Sequence, residues 1–300
     1  VKNVGSINRQ SYLGSSDVAG ILGISPWLTP LAVYDAKVFG KKEVISEAKK
    51  KILERGKRLE PYVLDMLTLE HGVELIHRNN RYLDRQHKFL AAEIDAETSD
   101  GRNVEAKTTG DFYEKSMWGD EGTDDVPIYY AAQCMHGMMC NGAPSTLLPV
   151  MLGIDDFRVF EIHRDESTIA AIRETELEFW DRVQRRDPPP PTDAADVLRM
   201  FPVDSGRNAQ ATPELLERVN EWKAKKKEAK FLKGELEDIE QEIKLFMLDA
   251  TTLSYGSRAL LTWKEQKTKR FNIDLFRANH PKIAATYTRT DSSRVLRPKK

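Results

Sequence analysis

The spacing of apolar residues changes along the chain, and each change marks an element. Around Phe89–Ile94 the residues are mostly apolar and the run ends in an acid, Asp95, which reads as a short strand. The polar turn Thr98–Asn103 follows, with Ser99, Asp100 and Gly101 favouring a reversal. The next strand sets Glu105 and Lys107 two residues apart, so both side chains point to one face while Ala106 points to the other.

The rest of the first two-thirds alternates between helical and strand spacing. Val18, Ile21 and Leu22 line a short helix capped by Ser15 or Ser16 and stopped by Gly23. Thr29-Pro30 opens a second helix over Leu31–Phe39. Residues 47–71 form one long helix with an apolar stripe of Ile52, Leu59, Val63, Met66, Leu67 and Leu69, among which Glu60 stands beside Pro61. Strands are expected at Val73–Arg81, Lys88–Ile94, Ser145–Met151 and Phe157–His163. Helices are expected from Pro127 through Met139 and over Asp165–Arg185. Between them, Thr108–Trp118 is loop or short helix, and Asp111–Asp125 is an acidic, mobile loop.

Pro188–Pro191 is a stiff spacer and the expected boundary. It gives a domain over 1–187, a linker over 188–211 and an extension over 212–300. In the extension, Pro213–Ala250 is a long helix. On it Leu232, Leu236, Ile239, Ile243 and Phe246 recur at alternating steps of four and three, the spacing of a coiled coil. A hairpin over Thr252–Lys264, a short helix over Asp274–Asn279 and a basic tail, Ser293–Lys300, complete it.

Composition narrows the function classes. The chain has 300 residues, 31% charged and 40% hydrophobic, with a net charge of -1. Any polyanion site is therefore a local patch rather than a global field. The two cysteines, Cys134 and Cys140, lack zinc-finger spacing and suggest no disulfide framework, so a reducing cytoplasm is expected. No apolar run approaches a membrane span, and the N-terminus has no signal-peptide core.

Three groups of residues carry candidate chemistry. Asp95, Glu105 and Lys107 gather two carboxylates and one ammonium, which suits a hard divalent cation or simply a solvated face. Glu60 is either a further acid of that site or a partner for Arg55, Lys57 or Arg58. Arg9 and the hydroxyls ahead of the first helix form an oxyanion pocket or do no more than cap the helix. The lysines at 223, 225, 226, 227 and 230 are a solvated face or a track for a DNA backbone.

Taken in order, Leu13-Gly14-Ser15-Ser16-Asp17-Val18-Ala19-Gly20-Ile21-Leu22-Gly23-Ile24-Ser25-Pro26-Trp27, then Arg55-Gly56-Lys57-Arg58-Leu59-Glu60-Pro61, then Asp95, Glu105-Ala106-Lys107 and Gln133 resemble the YqaJ-type viral recombinases of the PD-(D/E)XK nuclease superfamily. The resemblance covers about residues 9–165. It implies an α/β (α+β) core with a central mixed sheet flanked by helices, to which the C-terminal helical arm and hairpin are added. It also implies a Mg²⁺-dependent exonuclease, with Mn²⁺ as substitute, that digests double-stranded DNA from 5′ ends. The product would be a 3′ overhang for a single-strand annealing protein. By the same resemblance Asp95 and Glu105 hold the metal with Glu60, Lys107 positions or activates water, Gln133 supports the nucleophile side, and Arg9 with Ser16 binds a terminal 5′-phosphate. A ring trimer in the cytoplasm of a bacterial host or phage-infected cell is implied as well. The family's Ser-Pro-Asp-Gly is replaced by Glu93-Ile94-Asp95-Ala96, so Glu93 either joins the metal site or is solvated. A structure-specific endonuclease and a non-catalytic DNA-binding assembly protein are the alternatives.

Overall fold

The computed structural model describes residues 8–40, 46–110, 115–290 and 293–298. The chain forms two compact units that divide between Met200 and Phe201. Among the described residues no helix is long and apolar enough to cross a membrane.

The first unit is a mixed sheet flanked by helices, the architecture expected of the core. Its strands are β1 (Leu13–Gly14), β2 (Leu75–Leu83), β3 (Leu90–Thr98), β4 (Asn103–Val104), β5 (Lys107–Thr109), β6 (Ser145–Leu152) and β7 (Asp156–His163). β2 runs antiparallel along one side of β3. On the other side, β1 pairs in parallel at Leu90 and Ala91 and β4 pairs antiparallel at Ala96 and Glu97. β4 and β5 then lie in turn beside β6, both parallel to it, and β7 closes the far edge.

The strand expected to carry Glu105 and Lys107 is therefore interrupted. Glu105 and Ala106 separate β4 from β5, and the Glu105 N–H still donates to the Leu147 carbonyl of β6 at 2.9 Å. Its neighbour Ala106 leaves the ladder.

Helices α1 (Ser15–Ile21), α2 (Pro30–Phe39), α3 (Glu47–His71), α4 (Ile128–Asn141), α5 (Glu166–Arg185) and α6 (Ala194–Met200) complete the unit. Leu13, Val18, Leu90, Met138, Leu148 and Phe160 are among the core residues that join α1, α4 and the sheet. A smaller cluster packs Leu64 and Leu67 of α3 on Ala96, Val104 and Leu147. Burying those side chains fixes α3 beside the strand break.

Several expectations are corrected by tertiary context. α1 is capped by Gly14, not by Ser15 or Ser16, and Asp17 reaches back to the Gly14 N–H at 2.8 Å. On α3 the buried residues are Val63, Leu64 and Leu67, whereas Ile52 and Leu69 are exposed. The described part of the expected mobile loop is tied to β7: Gly122 N–H donates to Val159 and Arg158 donates to the Gly119 carbonyl. Residues 111–114 of that loop lie outside the described residues. Past the proline run, the chain continues to pack on the first unit. Asp196 of α6 is buried and accepts from the Thr29 hydroxyl at 2.7 Å, in a helix that the apolar spacing does not announce.

The second unit holds α7 (Pro213–Met247), the hairpin β8 (Thr252–Tyr255) and β9 (Arg258–Thr262), and the short helices α8 (Ile273–Asn279) and α9 (Pro281–Tyr287). Thr212 caps α7, with Pro213 at its first turn. Of the basic tail, Lys299 and Lys300 lie outside the described residues.

Candidate functional site

Asp95 enters the site from β3, Glu105 and Lys107 from the two sides of the strand break, and Gln133 from α4. Lys107 Nζ donates to Glu105 Oε1 at 2.7 Å and to Gln133 Oε1 at 3.1 Å. Gln133 Nε2 donates to the same Glu105 oxygen at 2.5 Å. The amide thus bridges the ammonium and the carboxylate with one arm to each. Tyr130, one helical turn before Gln133, places its ring 4.8 Å beneath Lys107 Nζ, within cation–π range. Asp95 Oδ2 accepts the orphaned Ala106 N–H at 2.9 Å. The break in the strand is thereby satisfied by the acid beside it.

The electrostatics follow from three acids around one lysine. Burial, and then the charges of Glu105 and Glu60, push the Asp95 carboxyl well above the ordinary carboxylate range, against the pull of Lys107 and the Ala106 N–H. Glu60 is raised by its own partial burial and by Glu105. Burial opposes the Lys107 charge, but Glu105 and Asp95 outweigh it and hold the ammonium above its usual pKa. Glu60 is therefore close enough to interact. Even so, among the described residues no three His, Cys, Asp or Glu side chains form a group that could hold a metal on their own.

Glu93 belongs to a different neighbourhood. It accepts from the Tyr12 hydroxyl at 3.2 Å and from Arg81 at 3.4 Å. Arg9, distant in sequence from the acids, donates to Ser16 Oγ at 2.8 Å and to the Tyr12 hydroxyl at 3.3 Å. Arg81 lies over the Tyr12 ring at 4.0 Å. Beneath them the buried Lys37 pairs with Asp17 at 2.6 Å and donates to the Arg9 carbonyl at 3.0 Å. The expected pair Arg9 and Ser16 is thus brought together on a scaffold of Tyr12, Arg81 and Lys37. None of these three has a sequence signal, because each acts through residues on other elements.

A second arrangement beyond sequence reach holds α4 in place. His136, one turn after Gln133, is fully buried with Glu176 of α5. Its Nδ1 lies 2.9 Å from Glu176 Oε1 and its Nε2 lies 3.1 Å from the Ala91 carbonyl of β3. One imidazole therefore joins the helix bearing Gln133 to the strand bearing Asp95.

Residues 7–144 match the family model of the YqaJ-like viral recombinase domain. The uncharacterized protein YqaJ of Bacillus subtilis (strain 168) is 23% identical over 286 residues, covering 92% of this chain and 88% of that protein. Among solved structures, the alkaline exonuclease LHK-Exo from Laribacter hongkongensis aligns at 17% identity with a TM-score of 0.48, covering 60% of this chain and 91% of that one. A phage related exonuclease from Haemophilus somnus 129PT aligns at 16% identity with a TM-score of 0.45, covering 58% and 96%. Glu60, Asp95, Glu105, Lys107 and Gln133 all fall inside the segment, residues 7–144, that matches the YqaJ-like viral recombinase domain.

Proposed function

We propose that this chain is a metal-dependent exonuclease acting on linear double-stranded DNA from 5′ ends, leaving 3′ single strands for a strand-annealing protein. The reading is carried by one observation: Asp95, Glu105, Lys107 and Gln133 gather at a break in the sheet, inside a recombinase-family segment. The donor set suits a hard cation such as Mg²⁺. Its protein donors are carboxylate oxygens; burial first, and then the charge of Glu105, raise the Asp95 and Glu60 carboxyls, and a bound cation offsets both effects. Asp95 and Glu105 are the direct ligands, and Glu60, whose charge reaches them, completes the shell through water beside the DNA phosphate oxygens. When bound, such an ion stabilises charge on the phosphoryl oxygens and lowers the pKa of a coordinated water.

The chain's own residues do the positioning. Lys107, held beside Glu105 and Gln133, positions or activates the water or orients the scissile phosphate. Gln133 holds Glu105 and Lys107 in fixed relation. Arg9 and Ser16 bind the terminal phosphate, whose charge exceeds that of an internal diester.

The test uses linear duplexes labelled separately at each 5′ and 3′ end, with and without Mg²⁺, beside a closed circular plasmid. Mg²⁺-dependent loss of the 5′ label first, with the circle intact, is expected. Cutting of the circle at the linear rate makes the chain an endonuclease. No nucleotide release with Mg²⁺ or Mn²⁺ leaves a non-catalytic DNA-binding protein.

A further inference from the structure

Charge is unevenly distributed along the chain. Residues 251–300 hold 12 Lys and Arg against 3 Asp and Glu, whereas the first 250 residues hold 34 against 44. The near-neutral whole therefore contains one strongly basic end, a local patch of the kind a polyanion needs. This end lies within the second unit and holds the β8–β9 hairpin, the segment after it and the helices α8 and α9.

The fold does not use these cations. The side chains of Arg258, Lys264, Lys269, Arg270, Arg277 and Lys282 make no ion pair or hydrogen bond among the described residues. Lys267 pairs with Glu265 at 3.5 Å, but both side chains are more than three-quarters exposed, and such a pair contributes little. Like charges gathered in one short segment repel one another, and a bound anion offsets that repulsion.

The aromatic side chains of this end face water as well. Tyr255, Trp263, Phe271 and Tyr287 are 83%, 44%, 71% and 84% exposed. Two of them bracket the densest run of charge. Trp263 closes the hairpin, its N–H donating to the Thr251 carbonyl at 3.0 Å. Lys264, Lys267, Lys269 and Arg270 follow in a stretch that is neither helix nor strand. Phe271 ends it, just before Asn272 caps α8, and its ring lies 5.0 Å from that of Phe276.

This combination selects a partner. Duplex DNA offers phosphates to the cations, but its bases are stacked on one another and present no free faces. An acidic protein segment likewise leaves the aromatic rings without stacking partners. An unpaired strand presents phosphates and free base faces together, which suits aromatic side chains set among cations.

We infer that Trp263–Phe271 is a binding surface for single-stranded nucleic acid. Trp263 and Phe271 stack on bases, and Lys264, Lys267, Lys269 and Arg270 lie along the phosphates. The inference is independent of the nuclease reading, because it holds whether or not the chain cuts. Under that reading, the 3′ strand left by digestion is the DNA source of this ligand.

The test is fluorescence anisotropy of the intact chain with a labelled oligothymidylate, an oligouridylate and a duplex of the same length. EDTA is present throughout, so metal-dependent cleavage does not intervene. Trp263→Ala is expected to weaken oligothymidylate binding about tenfold, the scale of one lost base stack. Trp263→Phe is expected to restore most of it, and duplex affinity to stay unchanged. Phe271→Ala, at the other end of the run, is expected to repeat the effect. Both rings are exposed, so neither substitution empties an interior. On an abasic strand, wild type and Trp263→Ala are expected to bind alike. Lys264→Gln with Lys269→Gln and Arg270→Gln should lower the salt dependence of strand binding by about two in log–log slope, the counterion release of three phosphate contacts. Tighter binding of oligouridylate than of oligothymidylate makes RNA the occupant, and the reverse makes it DNA. Equal weakening of strand and duplex by Trp263→Ala, an undiminished loss on the abasic strand or a wild-type salt slope in the triple variant overturns the inference.

Discussion

Asp95 Oδ2 accepts the Ala106 N–H across the gap between β3 and the interrupted strand, at 2.9 Å. This bond fixes one oxygen of the acid and leaves the other for a ligand. It also explains why the strand can break there without leaving a buried donor unpaired, a defect that costs about 1–3 kcal/mol.

Replacing Asp95 tests the charge separately from the bond. Asp95→Asn keeps an acceptor for Ala106 and removes a carboxylate that Glu105 and Glu60 repel. Nucleotide release should fall about 10²–10³-fold, the scale of losing a main electrostatic contact, while the melting temperature stays level or rises. Release assays and thermal melts on one preparation check both; wild-type turnover ends the assignment of Asp95.

Lys107→Met should lower turnover far more than DNA affinity. It also leaves Asp95, Glu105 and Glu60 facing one another without their cation. Breaking such a pair destabilises by about 3 kcal/mol, and added Mg²⁺ should restore part of that loss. Denaturant melts with and without Mg²⁺ measure it. A penalty indifferent to Mg²⁺ means that the ion does not enter among these acids.

Removing the 5′-phosphate from linear duplex should slow digestion, and Arg9→Ala should erase most of the difference. The guanidinium is already aimed at Ser16, and a charged hydrogen bond of this kind contributes about 1–3 kcal/mol. Initial rates on phosphorylated and dephosphorylated ends, at one salt concentration, give the ratio. An unchanged ratio in Arg9→Ala reduces Arg9 to a surface residue.

Stability should depend on pH through His136. A carbonyl can only accept, so the Nε2 facing Ala91 carries a proton, and Glu176 favours a second on Nδ1. Burial opposes that charge, but Glu176 and then Cys140 outweigh it and raise the imidazole pKa well above its ordinary value. Because the folded pKa lies above the unfolded one, the contribution is complete below about pH 6.5 and is lost as pH rises through the folded value. Glu176→Gln should therefore be most destabilising near pH 6, and its penalty should shrink toward alkaline pH. A penalty constant from pH 6 to 10 excludes the charged pair.

The limit of the first unit is testable by truncation. A chain ending at Met200 should melt like the first unit of the full chain. One ending at Arg186 should melt lower, because it lacks Asp196 and with it the acceptor of the Thr29 hydroxyl that caps α2. Equal melting of the two places the limit at the proline run.

Much of this protein was legible in the order of its residues because local periodicity and capping act over a few positions. The long helix through Glu60, the helix opened by Asp165 and the hairpin around Gly256 all follow from such short-range rules, whereas the strand expected to end at Asp95 runs on to Thr98. The grouping of Glu60, Asp95, Glu105, Lys107 and Gln133 followed from resemblance, since no local rule joins elements so far apart in the chain. Tertiary structure alone decided the rest. At the interruption β4 lies between β3 and β6 and pairs with both, β5 continues beside β6, and Ala106 finds its acceptor on β3. Leu64 is buried and Leu69 exposed because the sheet, not the helix, chooses which face of α3 to cover. The His136–Glu176 pair and the Tyr12–Arg81 stack join residues whose partners lie dozens of positions away. Sequence sets what each segment prefers locally; which polar groups must be satisfied together is decided only when the segments share an interior.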